Sequence, residues 1–256
     1  MRPAETGHAK DSGSWHGGRR AQLCVIDLHP RLKSPGVLRL QSLVKRCFDV
    51  LAGVLALIVL TPVALAVALA IEIDAPGPLF YRAERIGYHG RPLRLLKFRK
   101  MPVGASGLPV TLADDERLTR VGRFLARTRL DEAPQFWQVV VGKLSLIGPR
   151  PEDPRFVALH ADDYEVIVSV RPGITGSTQM VFADEARWLE GDDPVRRYTE
   201  ELLPLKVFLD RAYALDRRLT TDIKIALWTP LVLLLPFSVR YDHEHLLLHL
   251  LWDGKR

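Results

Sequence analysis

Cysteine is scarce: only Cys24 and Cys47 occur among 256 residues. Two cysteines cannot build a disulfide framework, and no Cys/His set has the spacing of a zinc site. A reducing, cytoplasm-facing setting fits that scarcity. Low-complexity sequence is scarce too, with glycine and proline at 18 each, and no internal repeat is visible. The first twenty residues, Met1 to Arg20, lack an apolar core. No secretory leader is expected there, and the stretch reads as a flexible tail. What the chain does have is apolar content (47%) and a net charge of +6. The length allows one catalytic domain plus a membrane element, but not two large domains. A basic balance favours phosphate-rich partners: nucleic acid, anionic lipid headgroups or phosphorylated small substrates. Charge alone does not choose among them.

The longest apolar run extends from Val50 to Ile71, interrupted only by Gly53, Thr61 and Pro62. A straight helix of that length measures ~33 Å at ~1.5 Å per residue, close to the ~30 Å hydrocarbon core. A single transmembrane helix is therefore the default reading. Pro62 argues against it, because proline removes a backbone hydrogen bond and kinks a helix, although the Thr61 hydroxyl can soften that cost by bonding back to a carbonyl. The break leaves arms of ~15 Å, which reach only mid-bilayer. Charge argues against it as well. Arg31, Lys33, Arg39, Lys45 and Arg46 precede the run, and Arg82, Arg85, Arg91, Arg94, Lys97, Arg99 and Lys100 follow it. A positive-inside bias holds both flanks on the cytoplasmic side, which a helix-break-helix satisfies and a kinked spanning helix does not. Kinked spanning helices are common, so both readings stay open on these features.

The remaining pattern reads as follows. Asp74-Ala75-Pro76-Gly77-Pro78 is a turn at the membrane exit. Leu79 to Lys100 holds two short strands around Gly87-Tyr88-His89-Gly90. Helices are expected over Asp114–Arg127, from near Asp131 to Val141, within Glu152–Val170, and over Asp184–Glu190 and Pro194–Arg218. Leu23 to Ile26 is a short strand or nothing stable. Ile225–Val239 is too short and proline-broken to span, and reads as a surface helix or an ordinary core element. The expected organisation is a flexible tail over 1–40, a membrane helix-break-helix over 41–74, a catalytic domain over 75–240 and a C-terminal amphipathic tail over 241–256.

The chemistry concentrates between Gly122 and Pro151. Asp131 and Glu132 are adjacent acids at an expected helix start. In the plain reading Asp131 is an N-cap and Glu132 is favoured by the macrodipole. In the functional reading one is a carboxylate nucleophile where backbone N–H groups and cations also hold a phosphate. Neighbours on a helix do not share a face, so an acid/base couple acting across one bond is excluded in favour of a nucleophile beside a metal ligand or base. Lys97, Arg99, Arg127, Arg129 and Arg150 supply cations suited to phosphate oxygens. Singly, each is an ordinary solvated residue. Arg150 stands out because Gly148, Pro149 and Pro151 frame it rigidly.

These pieces resemble the bacterial sugar transferases, the polyprenyl-phosphate hexose-1-phosphate transferases or monotopic phosphoglycosyl transferases. The resemblance is carried by Lys45-Arg46-Cys47-Phe48-Asp49, Gly77-Pro78-Leu79-Phe80-Tyr81-Arg82, Glu84-Arg85-Ile86-Gly87, Lys97-Phe98-Arg99, Leu130-Asp131-Glu132-Ala133-Pro134-Gln135, Gly148-Pro149-Arg150-Pro151-Glu152, Arg171-Pro172-Gly173-Ile174-Thr175-Gly176 and Asp222-Ile223-Lys224-Ile225. It implies an α+β fold, mostly helical and monotopic, with a re-entrant helix broken at Thr61-Pro62, surface amphipathic helices and a small β-sheet. It places the nucleophile at Asp131, its partner acid at Glu132, and Lys97, Arg99 and Arg150 near phosphates. Asp210 and Tyr213 match a late Asp-x-x-Tyr element. The implied reaction moves a sugar-1-phosphate from a UDP-sugar to polyprenyl (undecaprenyl) phosphate through an aspartyl-phosphosugar. Mg2+ would be held partly by Asp131 or Glu132. The implied setting is the cytoplasmic face of the inner membrane, in contact with membrane lipid, in exopolysaccharide or related glycan synthesis; a homodimer is compatible with it.

Three departures stand out. Ala126 replaces a cation that Arg129 restores from another angle, Lys100 replaces a common threonine, and Phe182–Glu201 lacks an Asn-Gly-Arg block. Two rivals remain: a catalytically silent scaffold of the same fold, and a membrane-tethered basic protein that binds nucleic acid. Against the second, the basic residues cluster around Pro/Gly turns and acids rather than among exposed aromatics, so no nucleic acid partner is expected.

Overall fold

A computed structural model of the protein describes residues 22–27, 35–107, 110–112, 115–235, 237–242 and 247–252. In chain order the elements are β1 (Gln22–Asp27), α1 (Pro35–Asp74), β2 (Phe80–Ile86), β3 (Pro92–Phe98), α2 (Arg120–Thr128), α3 (Gln135–Val140), β4 (Ser145–Ile147), α4 (Pro154–Val157), α5 (Ala161–Ile167), β5 (Gly173–Thr175), α6 (Ser177–Val181), α7 (Glu185–Trp188), α8 (Pro194–Arg197), α9 (Leu203–Leu215), α10 (Leu219–Leu234), β6 (Phe237–Asp242) and β7 (Leu247–Trp252). The fold is α+β, with three small sheets rather than one among the described residues. β2 and β3 form an antiparallel hairpin, β4 and β5 a short parallel pair, and β1, β7 and β6 an antiparallel sheet in that order.

Apolar residues gather in three places. The largest core packs α5, α6, α9 and α10 under β6 and β7, with Leu203, Ile225 and Leu248 fully buried. A second joins Leu93 and Leu95 of β3 to Val139 of α3 and Leu144. The third sets Val67 and Ile71 of α1 against Phe98 and Leu125.

α1 is docked at both ends and bare in the middle. Near its start, Lys45 Nζ lies 2.8 Å from Asp222 Oδ2, and the Arg46 guanidinium donates to the Val139 and Val140 carbonyls at 2.6 and 2.7 Å. Those carbonyls end α3, where a cation is favoured by the helix dipole. Asp49 accepts from Ser145 Oγ and the Leu146 amide at 3.1 and 2.9 Å. At the far end Asp74 Oδ2 accepts the Val121 amide at 2.9 Å and so caps α2. Between them Leu55, Ile58, Val59 and Leu65 are each more than 60% exposed. Among the described residues this is the one helix long and apolar enough to cross a membrane. Helical structure continues through Thr61 and Pro62, and Thr61 Oγ1 donates to the Leu57 carbonyl at 2.6 Å. The expected interruption of helix at this pair is therefore not seen as a gap in secondary structure.

Several expected boundaries move. The helix expected from Asp114 begins at Arg120, after Thr119 caps the Gly122 amide. The helix expected near Asp131 begins at Gln135. Arg129 adopts a left-handed conformation (φ 56°) that ends α2, and Pro134 fits only a first turn, so Leu130–Glu132 is left as a 3-10 turn. Glu152–Val170 holds two short helices instead of one. Pro194–Arg218 is interrupted by a π turn at Tyr198–Leu202, where Pro204 has no N–H for the Glu200 carbonyl. The N-terminal tail expected over 1–40 contains β1 and the start of α1, and its other residues lie outside the described ones. The C-terminal tail expected over 241–256 contains β7, paired on both sides.

Candidate active site

The 3-10 turn Leu130–Glu132 turns both acids inward, and Asp131 is only 4% exposed. Residues alternate faces along a strand, so Leu93, Leu95 and Lys97 share one face of β3. The two leucines pack inward and Lys97 Nζ reaches Glu132 Oε1 at 2.7 Å. Gln138 fixes α3 to this strand by donating to the Arg94 carbonyl and accepting the Leu96 amide, at 2.8 and 2.9 Å. Lys100, just beyond the strand, lies 3.6 Å from Asp131 Oδ2. Its backbone is clamped by α2, because a Cβ on Gly122 would stand 1.9 Å from the Lys100 carbonyl oxygen.

Arg150 arrives from the opposite side. Its guanidinium meets Glu132 in a forked pair, Nη2 to Oε1 at 2.5 Å and Nη1 to Oε2 at 3.4 Å. Its loop interlocks with the one that follows Arg171. A Cβ on Gly148 would lie 2.5 Å from the Arg171 carbonyl oxygen, and one on Gly176 2.3 Å from the Gly148 carbonyl oxygen. Only glycine permits that approach. Behind the loop, buried Asp210 accepts the Arg150 amide and, at 3.1 Å, the Thr178 hydroxyl.

Burial alone would raise the Glu132 pKa, but Arg150 and Lys97 outweigh it and hold this carboxyl well below its ordinary range. Burial pulls the Lys97 ammonium down, with Glu132 opposing. The Arg150 guanidinium is pushed up by Glu132. Desolvation pushes the Asp210 carboxyl up to about 8, Thr178 and Lys206 opposing, so it holds its proton at neutrality. Lys97, Lys100 and Arg150 thus face two carboxylates, and the surplus positive charge suits an incoming phosphate.

The expected cations separate. Lys97 and Arg150 converge on Glu132. Arg129 donates to the Ala183 carbonyl at the edge of the same region. Arg99 instead points to the Ala75 and Pro76 carbonyls and holds the turn after α1, and Arg127 is exposed on α2. Ala126 is half-buried, and Thr61 and Pro62 are exposed. Sequence reasoning missed the nearness of Lys100 to Asp131, although a basic residue directly after a strand that carries Lys97 is a usable signal. It also missed a buried chain in which Lys206 Nζ bonds both Glu185 oxygens and the Tyr198 hydroxyl, and Tyr198 donates to Glu152 Oε2 at 2.5 Å. No spacing rule links those four positions.

Beside Glu132 opens a cavity of ≈ 250 Å³. Leu60 of α1, Phe136, Ile147, Met180 and Val232 line it, with Arg129 and Arg150 as its cations. Among the described residues no three His, Cys, Asp or Glu side chains gather to hold a metal. Asp131 and Glu132 are hard oxygen donors, and Mg2+ characteristically takes one or two carboxylates together with waters and substrate phosphates. The residues therefore fit Mg2+ brought by a diphosphate. Asp131 is the better ligand, because the Glu132 oxygens already meet two cations.

A carboxylate pair among cations, with Glu132 on the wall of an apolar cavity beside a largely exposed apolar helix, marks a membrane-associated protein. The sequence model of the bacterial sugar transferases matches residues 40–236. The chain is 36% identical to the UDP-glucose:undecaprenyl-phosphate glucose-1-phosphate transferase of Escherichia coli (strain K12) over 73% of this chain and 39% of that protein. It is 34% identical to the UDP-N-acetylgalactosamine-undecaprenyl-phosphate N-acetylgalactosaminephosphotransferase of Aeromonas hydrophila over 78% of this chain and 45% of that protein. It is 38% identical to the exopolysaccharide production protein PSS of Rhizobium leguminosarum bv. phaseoli over 53% of this chain and 72% of that protein. The chain belongs to the bacterial sugar transferase family. It spans less than half the length of the first two of these relatives, and β1, β6 and β7 lie outside the family match.

Proposed function

We propose that the protein transfers a sugar-1-phosphate from a UDP-sugar to a polyprenyl phosphate at the cytoplasmic face of the inner membrane, as the first step of exopolysaccharide or related glycan synthesis. The observation that carries this is the placement of Asp131. It is a buried carboxylate with Lys100 beside it and the Glu132–Lys97–Arg150 cluster adjoining, and Glu132 and Arg150 of that cluster line a cavity that Leu60 of α1 also lines. An Asp131 oxygen attacks the β-phosphorus of the UDP-sugar. The bond to the bridging oxygen breaks and UMP leaves with that electron pair. A polyprenyl phosphate oxygen then attacks the same phosphorus, displaces the carboxylate and restores Asp131. Splitting the transfer suits two bulky anions, one soluble and one lipidic. Lys97 and Arg150 oppose charge on the phosphoryl oxygens, and Glu132 keeps both cations in place. Mg2+, when bound by Asp131 and the diphosphate, neutralises the leaving group.

Re-entry of α1 is part of the proposal. A spanning helix separates its flanks by ~30 Å of hydrocarbon. Here Asp49 and Asp74 dock on one polar body while Leu51, Leu55, Ile58, Val59 and Leu65 between them are more than 60% exposed. The relatives' names include both glucose and N-acetylgalactosamine, so likeness alone does not select the sugar. Purified protein supplied with candidate UDP-sugars and polyprenyl phosphate should release UMP with one of them. Asp131→Asn should release none, and a turnover retained in that variant assigns the nucleophile elsewhere.

A further inference from the structure

A second cavity, of ≈ 100 Å³, lies against the first turns of the apolar part of α1 and shares no lining residue with the cavity beside Glu132. Its wall carries five cationic side chains, Lys45, Arg46, Arg171, Arg217 and Arg218, against two carboxylates, Asp49 and Asp222, and Arg218 is also paired with Asp216 and, at 3.6 Å, with Asp27 outside the wall. Both acids are already engaged. Asp49 takes Ser145 and the Leu146 amide, and Asp222 takes Lys45 and, at 2.6 Å, the Tyr213 hydroxyl. Two of the arginines are held by neutral groups, which fix their geometry without cancelling their charge. Arg46 gives its terminal nitrogens to the Val139 and Val140 carbonyls, and Arg171 gives Nε to the Gly142 carbonyl at 3.2 Å with its plane 5.1 Å from the Tyr88 ring centre. Pre-arranged guanidinium groups with surplus charge are a receptor for phosphate.

The second observation is Gln41, another wall residue. Its Oε1 is buried and has no hydrogen-bond partner among the described residues. A buried orphan acceptor calls for a donor, which the phosphodiester of a lipid headgroup, carrying no O–H of its own, does not supply. The ligand that answers both has a phosphate and a hydroxyl a few bonds apart. Apolar side chains neighbour the wall residues along both helices: Leu40, Leu43 and Val44 on α1, and Ile223 and Leu227 on α10, are all more than 45% exposed. We infer that this cavity is a headgroup site for an anionic, hydroxyl-bearing glycerophospholipid of the phosphatidylglycerol type. The phosphate meets the arginines, a glycerol hydroxyl meets Gln41, and the acyl chains lie along the exposed faces of α1 and α10. The site would seat the helix at a leaflet rich in such lipid. This rests on the membrane-surface reading above, and it is separate from the catalytic carboxylates.

The test is flotation of the full chain with phosphatidylcholine vesicles and with equimolar phosphatidylcholine–phosphatidylglycerol vesicles. Wild type should prefer the mixed vesicles. Arg171→Gln should lose about five-fold of that preference, the worth of one charge near an anionic surface. Gln41→Leu should also lose several-fold, with no change in charge, and thermal unfolding in detergent checks that both variants are folded. Glycerol 1-phosphate should compete for wild type better than inorganic phosphate does. An unchanged preference in Arg171→Gln overturns the site. Loss in Arg171→Gln with none in Gln41→Leu assigns the preference to diffuse surface charge and overturns it equally. Equal competition by inorganic phosphate makes it a phosphate site and removes the lipid. Failure of wild type to float with either vesicle removes the membrane reading as well, whereas UMP release in detergent reports on the catalytic reading alone.

Discussion

Glu132 is the carboxylate on which the centre is balanced. Two half-buried cations, Lys97 and Arg150, converge on it, so removing its charge leaves both without their counter-ion. Breaking a fully buried ion pair by deleting one partner costs about 3–5 kcal/mol; these pairs are partly exposed, so Glu132→Gln is expected to lower the denaturation midpoint in detergent by less than that. Its carboxyl is lowered in the folded protein, so its contribution is complete above the ordinary carboxylate range and is lost as pH falls through the depressed folded value. Asp210 has the opposite sign. Its folded value, about 8, stands above the reference of 3.8, so stability from this group is greatest in acid and is lost as pH rises towards the folded value. Asp210→Asn keeps the shape and an acceptor for Thr178 and the Arg150 amide while removing the titration. The variant is expected to gain on wild type as unfolding is measured at rising pH from about 5 to about 9. A constant difference across that range would show that Asp210 is already charged.

Among the elements, α1 and the two interlocked loops decide where the chemistry lies. A re-entrant α1 places both flanks on one side. Single cysteines at Ser42 and Glu72, in a background with both Cys24→Ser and Cys47→Ser, should react with an impermeant maleimide only after the cells are opened; labelling from opposite sides would establish a spanning helix. For the loops, Gly148→Ala drives a Cβ to 2.5 Å from backbone, and overpacking of this kind costs about 1–3 kcal/mol. Its activity should fall further than its stability, because Arg150 moves with the loop; equal losses would mean that the loop only packs. Much of this scale was legible beforehand. The apolar run, the Pro/Gly punctuation and the β2–β3 hairpin follow from period and turn chemistry, and the Gly148–Pro151 frame marked Arg150 as held. The 3-10 turn at Asp131 was not legible, because it depends on the left-handed conformation of Arg129. Nor was the direction of Arg99, whose partners Ala75 and Pro76 are backbone carbonyls that side-chain type does not specify.

Across the whole molecule, the β1–β7–β6 sheet joins the two ends of the described chain and closes the largest core through Ile26, Val239 and Leu248. It lies outside the family match; the sequence offers Leu23–Ile26 as a short strand or nothing stable and divides the rest between a catalytic domain ending at 240 and a C-terminal tail, because pairing between residues more than 200 positions apart leaves no local signal. Leu248 is fully buried, so Leu248→Ala should cost about 2–5 kcal/mol in a denaturant titration. A negligible cost would show the sheet to be an appendage. The centre itself was half legible: Asp131, Glu132, Lys97 and Arg150 were chosen from the sequence, whereas Lys100 and the Glu185–Lys206–Tyr198–Glu152 chain emerge only from packing. All of the proposed chemistry depends on Asp131 forming a bond to phosphorus. The direct measurement is intact mass and peptide mapping after incubation with the accepted UDP-sugar in the absence of polyprenyl phosphate. The expected result is a sugar-phosphate adduct on the peptide that contains Asp131, lost when the lipid is added and absent from Asp131→Asn. An enzyme that turns over with lipid yet carries no adduct without it would contradict the covalent route.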